Sequence, residues 1–203
     1  MKRLWLETGS ELQGNASLGE FNFLWAFAPD SPDSLQSLGL INHLWRSFAH
    51  KGMHFIGLST DIEHFDEDAE QRSRSLLQAL LHDPHLELPP FAILMDQLHF
   101  VSQDIPENYL SFLCESIPSF HTWPIFEQEA MRLKARHYLN SKSSWAVTAR
   151  LNEFKRLPTW ILFNRYYEIL EEWTGRPDPE EVIVRVEYWL SHIKSNEVNV
   201  DPF

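Results

Sequence analysis

Two aspartates three residues apart are the first side chains whose spacing suggests chemistry. Asp30 and Asp33 enclose Ser31 and Pro32, and a carboxylate pair of this kind can transfer protons or ligate a metal ion. The same four residues also form a helix start, because serine is a preferred N-cap, proline suits the first helical position and an acid suits the first turn. Helix capping is therefore the alternative to a paired-carboxylate site, and the sequence favours capping.

The single cysteine is the one candidate for thiol chemistry. Cys114 lies among apolar residues of a predicted helix and is followed by Glu115. A reactive thiolate needs exposed, electropositive surroundings, so the sequence favours a buried structural thiol. One cysteine forms no intramolecular disulfide and suits a reducing compartment, which predicts a cytoplasmic protein.

The sequence contains no other recognisable catalytic or metal-binding motif. His82 and His85 are three residues apart with Pro84 between them, and no HExxH or cysteine pair accompanies them. Nucleophile-elbow, P-loop and dinucleotide-binding motifs are also missing. We therefore predict no metal and no cofactor.

Composition and charge limit the partners. The 203 residues are 43% hydrophobic with eight tryptophans, which predicts one domain with a large core. The net charge of −12 repels phosphate backbones and anionic lipids. The chain also lacks a spanning apolar run and a signal-peptide pattern. These features predict no nucleic-acid and no membrane partner.

Strands and helices alternate along the chain. Short apolar runs bounded by turn residues predict five strands, at residues 21–27, 53–58, 91–95, 159–163 and 166–173, the last two forming a β-hairpin. Apolar residues at helical spacing predict helices at residues 32–51, 66–82, 107–116, 125–139 and 145–155, and a last helix from residue 179 to at least residue 193. This order predicts a three-layer α/β/α fold with a mixed central sheet.

Four motifs follow one another along the chain. The first strand ends in Leu24-Trp25-Ala26 and leads into Asp30-Ser31-Pro32-Asp33. The others are the second strand with its flanks (51–61), a Pro-Thr strand (157–162), and the end of the fold (Glu168, Ile169, Gly175 and 178–181). In this order they resemble the thioredoxin-like superfamily, in particular its redoxin branch of thiol–disulfide oxidoreductases. The resemblance implies that Pro158 is cis, and that Asp30-Ser31-Pro32-Asp33 keeps the proline of the family's Cys-x-Pro-Cys turn and replaces both cysteines.

The resemblance covers residues 8–100 and 156–195. It implies a single thioredoxin-like domain over residues 1–203, with residues 101–155 as a helical insertion before the cis-proline strand. Aspartate can neither attack a disulfide nor resolve a mixed disulfide, so the family's redox chemistry is expected to be lost. A shifted alignment places Ser34 at the position of a peroxidatic cysteine, and serine predicts the same loss.

A peptide-binding groove is the part of the family's function that does not need sulfur. In the family the backbone beside the cis-proline, here Leu157 beside Pro158, receives an extended polypeptide. We therefore predict a non-enzymatic adaptor or chaperone-like module that binds a protein or peptide. Its candidate groove residues are Pro29, Asp30, Ser31, Pro32, Asp33, Arg156, Leu157, Pro158, Trp173 and Gly175.

Three alternatives stay open at this stage. Pro158 can serve folding alone. The chain can be a thiol–disulfide oxidoreductase or peroxidase-related enzyme that acts through Cys114 or a partner's thiol, or an acid–base enzyme that uses Asp30 and Asp33. It can also be a homodimer scaffold in which the 101–155 insertion packs on its counterpart.

Overall fold

A six-stranded mixed sheet forms the centre of the molecule. The computed structural model describes residues 2–6, 11–13, 16–62, 68–88 and 90–197. Its strands, numbered in chain order, are β1 (Glu11–Gln13), β2 (Phe21–Phe27), β3 (Met53–Ser59), β4 (Ala92–Met95), β5 (Leu98–Phe100), β6 (Ser144–Ala146), β7 (Thr159–Asn164) and β8 (Ile169–Thr174). The large sheet has the order β1-β4-β3-β2-β7-β8, and β5 and β6 form a second, two-stranded sheet.

The central strand β2 explains the mixed pairing. All seven of its residues are buried, as expected for a strand covered on both faces. β2 pairs in parallel with β3 and antiparallel with β7, and β7 pairs antiparallel with β8. The predicted α/β class and the predicted hairpin are confirmed.

Helices cover both faces of the sheet. They are α1 (Pro32–Gln36), α2 (Leu38–Phe48), α3 (Ala69–Leu81), α4 (Glu107–Glu115), α5 (Ile125–Leu139), α6 (Val147–Leu151) and α7 (Pro179–Glu197), with 3-10 turns at Ala49–Lys51 and Phe120–Thr122. Apolar residues of α2, α3 and α7 pack against one face, while α6 and the N-terminal segment pack against the other. No described helix is both long enough and apolar enough to cross a membrane.

The predicted continuous helix over residues 32–51 is wrong at one point, because α1 and α2 are separated at Ser37. The Ser37 hydroxyl donates to the carbonyl oxygen of Ser34 at 2.6 Å and accepts from the indole N–H of Trp25 at 3.0 Å. A serine hydroxyl that bonds a carbonyl one turn back competes with the helical ladder. This buried contact also fixes α1 to β2.

The predicted helix over residues 145–155 is also wrong in its bounds. Residues 144–146 form β6, which pairs antiparallel with β5, and the helix that follows covers only Val147–Leu151. The positive φ of 58° at Glu153 ends the helical segment. The 101–155 segment is therefore mostly helical but also supplies a strand.

The hairpin turn is longer than predicted. The side-chain oxygen of Asn164 accepts from the backbone N–H groups of Tyr166 and Glu168 at 2.9 and 3.0 Å, and Tyr167 has a φ of 62°. β8 therefore begins at Ile169 rather than at residue 166. The predicted start, at residues 66–67, of the helix that corresponds to α3 lies outside the described residues. So does the side chain of residue 193, in the last predicted helix.

A buried carboxylate joins the insertion to the sheet. Asp96 follows β4 and is only 6% exposed. It accepts hydrogen bonds from the Thr60 hydroxyl at 2.8 Å and from the N–H groups of Thr148 and Ala149 at 2.9 and 3.0 Å. Asp96 thus caps α6 and connects it to the residue that follows β3.

Candidate functional site

The turn after β2 is built by helix capping. Ser31 is the N-cap of α1, and its hydroxyl accepts from the N–H of Ser34 at 3.4 Å. The Ser31 N–H donates to the carbonyl oxygen of Ala28 at 3.1 Å. The predicted cap at Ser31 is confirmed. Pro29 is buried within the turn, whereas Asp30 is exposed.

Asp33 has an electrostatic role that the sequence did not predict. Arg156 donates to Asp33 Oδ2 at 3.0 Å, and Arg176 donates to Oδ1 at 2.9 Å. The hydrogen bond from Arg156, together with the nearby charge of Arg176, lowers the pKa of Asp33 although partial burial opposes it. We call Asp33, Arg156 and Arg176 the Asp33 clamp.

The position of Arg156 depends on Gly175. Gly175 has a φ of +70°, and a Cβ at this position would lie 3.3 Å from the Arg156 guanidinium. Its N–H donates to the carbonyl oxygen of Pro158 at 2.7 Å, and its own carbonyl accepts from the Trp160 indole at 2.9 Å. The Arg156 side chain therefore packs against a glycine whose backbone is hydrogen-bonded to Pro158 and to Trp160 of β7.

The Ser34 hydroxyl is engaged in structure. Ser34 is fully buried, and its hydroxyl accepts from the N–H of Ala28 at 3.1 Å. In the shifted alignment this is the position of a peroxidatic cysteine. The Ser34 hydroxyl instead fixes the turn to the start of α1.

An open groove lies beside this turn. It has a volume of about 340 Å³ and is lined by Ala28, Asp30, Ser31, Asp61, Ile62, Lys155, Arg156 and Leu157. The bond between Leu157 and Pro158 is cis, as the resemblance implied. Within the described part of the chain, neither the N–H nor the carbonyl of Leu157 has a hydrogen-bond partner.

The groove combines apolar walls with charges of both signs. Its apolar lining includes Ile62 and Leu157, and its charged lining consists of two acids and two bases. The ammonium group of Lys155 makes no ion pair with any described residue. A smaller cavity of about 80 Å³ shares Asp61 and Ile62 with the groove and is otherwise lined by insertion residues, so the insertion borders the groove.

The structure brings four of the predicted residues together around this groove: Asp30, Ser31, Arg156 and Leu157. Pro29, Pro32, Asp33, Pro158 and Gly175 belong to the surrounding turn, the clamp and their supports. Trp173 does not line the groove. Its ring stacks on Phe23, with ring centroids 6.2 Å apart, and its N–H donates to Glu181 at 3.4 Å.

Four groove residues were missed by the sequence analysis: Ala28, Asp61, Ile62 and Lys155. A signal for the first three was present, because Ala28 follows β2, while Asp61 and Ile62 follow β3, the parallel neighbour of β2. Carboxyl ends of parallel strands meet at one edge of a sheet, where binding sites of α/β proteins lie. Lys155 had no such signal, since it precedes its strand.

Cys114 lies in a different part of the molecule. It is 1% exposed within the apolar interior of the insertion. Burial raises the pKa of its thiol, and the nearby charge of Arg132 does not reverse this shift. The cavity that Cys114 lines, of about 320 Å³, shares no residue with the groove. Among the described residues, no three potential metal ligands of the His, Cys, Asp or Glu type cluster.

Solved structures with the same fold exist, although sequence comparisons find no relative. No protein-family model and no curated protein matches the chain significantly. The chain is similar to a thiol-disulfide isomerase from Corynebacterium glutamicum, with 14% identity, a TM-score of 0.57, and coverage of 93% of this chain and 96% of that one. It is also similar to a thioredoxin-like superfamily protein, with 12% identity, a TM-score of 0.52, and coverage of 90% and 96%. The chain therefore has a thioredoxin-like fold, and its single cysteine provides no CxxC pair.

Proposed function

We propose that this chain is a polypeptide-binding module that uses the groove beside Leu157 and performs no dithiol exchange. The observation that carries the proposal is the backbone of Leu157, which lies at the wall of an open groove and has no hydrogen-bond partner among the described residues. A backbone N–H and carbonyl without partners can add an extended segment through main-chain hydrogen bonds. Such binding needs no cysteine.

The Asp33 clamp supports binding over catalysis at this turn. Both carboxylate oxygens of Asp33 are bound by arginines, so a metal ion or a substrate proton would compete with two guanidinium groups for them. A carboxylate with a lowered pKa is also a poor acid–base catalyst at neutral pH. The clamp connects α1, the segment before β7 and the segment after β8, and so holds the turn beside the groove in place.

The groove suits an extended, mixed-sequence segment. Ile62 and Leu157 offer apolar contacts, while Asp30 and Lys155 offer one charge of each sign at the surface. Main-chain hydrogen bonds supply affinity that does not depend on sequence, and the side-chain contacts supply selectivity. This combination fits an adaptor or chaperone-like role. The corresponding partner is a protein or peptide that presents an unfolded or terminal segment.

The proposal is tested with peptides selected on the immobilised full chain from a random library. The best peptide is titrated calorimetrically into the wild type and into three variants. Asp30→Trp fills the groove and should abolish binding. Lys155→Glu reverses a charge in the groove and should weaken the binding of a peptide that uses that charge. Lys51→Glu makes the same charge change at an exposed site before β3 and should leave affinity unchanged.

Hydrogen exchange gives a direct readout of the proposed contact. The amide of Leu157 should exchange rapidly in the free protein and become protected when peptide is bound. Selected peptides that bind Asp30→Trp as tightly as the wild type, without protecting Leu157, would refute the groove proposal. Insulin reduction that is lost in Cys114→Ser would favour a thiol enzyme acting through Cys114 over a binding module.

A further inference from the structure

The solvent-facing side of α5 is unusually apolar. Ile125, Phe126 and Leu133 have exposed fractions of 76%, 69% and 67%, although the opposite side of the helix already buries Ala135 and Leu139 against the insertion. Large apolar side chains exposed together on one element mark an interaction surface more often than chance. The helix is 15 residues long, or about 22 Å at the usual rise.

The exposed side has the spacing of a coiled-coil seam. Phe126, Ala130, Leu133 and His137 are all exposed, and successive members are separated by four, three and four residues. This is the alternation of d and a positions over two heptads, which keeps one stripe facing a partner helix. The stripe consists of two large apolar residues, one small residue and one histidine.

Charged residues flank this stripe at the e and g positions. Glu127 and Glu129 lie in the first half of α5, and Lys134 and Arg136 lie in the second half. The first three make no ion pair within the described part of the chain. Arg136 has one distant contact, with Glu107 at 3.9 Å. The flanking charges are therefore separated along the helix, with acids first and bases second.

We propose that α5 pairs in antiparallel orientation with α5 of a second copy of this chain. A two-fold axis between Ala130 and Leu133 places Glu127 opposite Lys134 of the other copy and Glu129 opposite Arg136 of the other copy. In the seam the same axis brings Phe126 against His137 and Ala130 against Leu133. A two-fold interface must be self-complementary, and a helix with acids first and bases second meets that requirement.

The charges also determine the orientation. In a parallel pair each g residue faces the e residue five positions later in the partner, so Glu129 would still meet Lys134. Glu127 and Arg136 would then face Thr122 and Ser141, which carry no charge. The antiparallel pair satisfies all four flanking charges of each helix, and the two helix dipoles then point in opposite directions, which is favourable. We therefore assign the antiparallel arrangement.

Two heptads form a small interface. Stable complexes bury roughly 1,200–2,000 Å², which one pair of four-turn helices does not reach alone. The expected state is thus a concentration-dependent dimer in exchange with monomer. The surface is separate from the peptide groove, and this inference does not rest on the proposed function.

The test is sedimentation velocity of the full chain over a concentration series. Glu127→Lys with Glu129→Lys gives a wholly basic seam, and Lys134→Glu with Arg136→Glu gives a wholly acidic one. Each double variant alone should dimerise at least about tenfold more weakly, because four attractive cross-pairs become repulsive. An equimolar mixture of the two should associate again as a heterodimer, which also shows that both variants are folded.

Further variants separate the alternatives. Glu127→Lys with Arg136→Glu disrupts the antiparallel pair but leaves the parallel Glu129–Lys134 pair intact, so loss of association supports the antiparallel arrangement. Leu133→Gln removes the central apolar contact at an exposed position and should also weaken the dimer. Glu180→Lys with Glu187→Lys makes the same charge change on α7 and should have no effect. A wild type that stays monomeric up to about 1 mM, or a dimer insensitive to both charge reversals, would overturn the proposal.

Discussion

Replacement of Asp96 tests how the insertion is held beside the groove. Asp96 accepts three hydrogen bonds, two of them from the backbone N–H groups of Thr148 and Ala149. The third comes from Thr60, the residue directly before the groove residues Asp61 and Ile62. We expect Asp96→Ala to destabilise the fold and to loosen the start of α6.

The magnitude follows from the groups left without partners. Asp96→Ala leaves two buried backbone N–H donors unsatisfied, at roughly 1–3 kcal/mol each, and the Thr60 hydroxyl can rotate to another acceptor. The expected loss in the free energy of unfolding is about 2–6 kcal/mol. Asp96→Asn keeps one acceptor oxygen and should cost about 1–2 kcal/mol at the same pH. Asp83→Ala removes an acid that accepts a single exposed N–H bond and should change stability by less than about 0.5 kcal/mol.

The effect of pH has a defined sign. Burial raises the pKa of Asp96 above that of an exposed aspartate, although its three donors oppose the shift. The folded state therefore favours the protonated acid. The resulting stabilisation is complete below about pH 3.9 and is lost as the pH rises through the higher folded-state pKa. Asn cannot ionise. The free energy of unfolding of Asp96→Asn should therefore lie furthest below that of the wild type at low pH, and the difference should shrink as the pH rises.

Urea unfolding followed by tryptophan fluorescence measures these differences, because several of the eight tryptophans are buried. Hydrogen exchange of α6 shows whether the loss is local. A loss below about 1 kcal/mol for Asp96→Ala would refute the role assigned to Asp96. A constant difference between Asp96→Asn and the wild type from pH 3 to about pH 8 would refute the assigned ionisation.

Three further predictions concern the clamp, its glycine and the cysteine. Arg156, and then Arg176, lower the pKa of Asp33, so its stabilisation is present above about pH 3.9 and is lost as the pH falls through the lower folded-state pKa. Unfolding midpoints of Asp33→Asn should lack this acid dependence and respond less to salt. Gly175→Ala should cost about 1–2 kcal/mol in urea unfolding, because alanine is strained at a φ of +70°. Gly39→Ala, in a helix with open space around the new Cβ, should instead stabilise by about 0.5–1 kcal/mol. Iodoacetamide should label Cys114 slowly in the native protein and quickly in urea; equal rates would contradict its burial.

Residue patterns along the chain predicted the bounds of those elements whose structure is determined by local sequence. The strand over residues 21–27 and the helix over residues 125–139 have the predicted bounds, because a fully apolar run and proline-initiated helical spacing each have one favourable outcome. The order of the elements followed from the same patterns. The three-residue strands β1, β5 and β6 were not predicted, since strands so short carry little periodicity and depend on distant pairing partners.

The Asp33 clamp could not be predicted for a similar reason. Asp33 is separated from Arg156 by 123 residues and from Arg176 by 143 residues, and nothing in the spacing connects them. The cap at Ser31 was predictable because its partner is three residues away. Sequence reasoning therefore assigned the local role of the turn correctly and missed the long-range contact that fixes its carboxylate.

The pKa values of Asp33 and Asp96 are shifted in opposite directions, and this difference is relevant to function. Asp33 is held ionised at the surface by two arginines, whereas buried Asp96 is shifted towards its neutral form. Two carboxyls with separated pKa values can act as a general acid and a general base, but only if both reach the same substrate. Here both oxygens of Asp33 are bound by arginines, and Asp96 is buried among Thr60 and the first N–H groups of α6. Both pKa shifts therefore accompany structural contacts: Asp33 holds the turn after β2, and Asp96 holds the insertion. Removing either carboxylate is expected to loosen the groove, and the proposed binding of a peptide should then weaken.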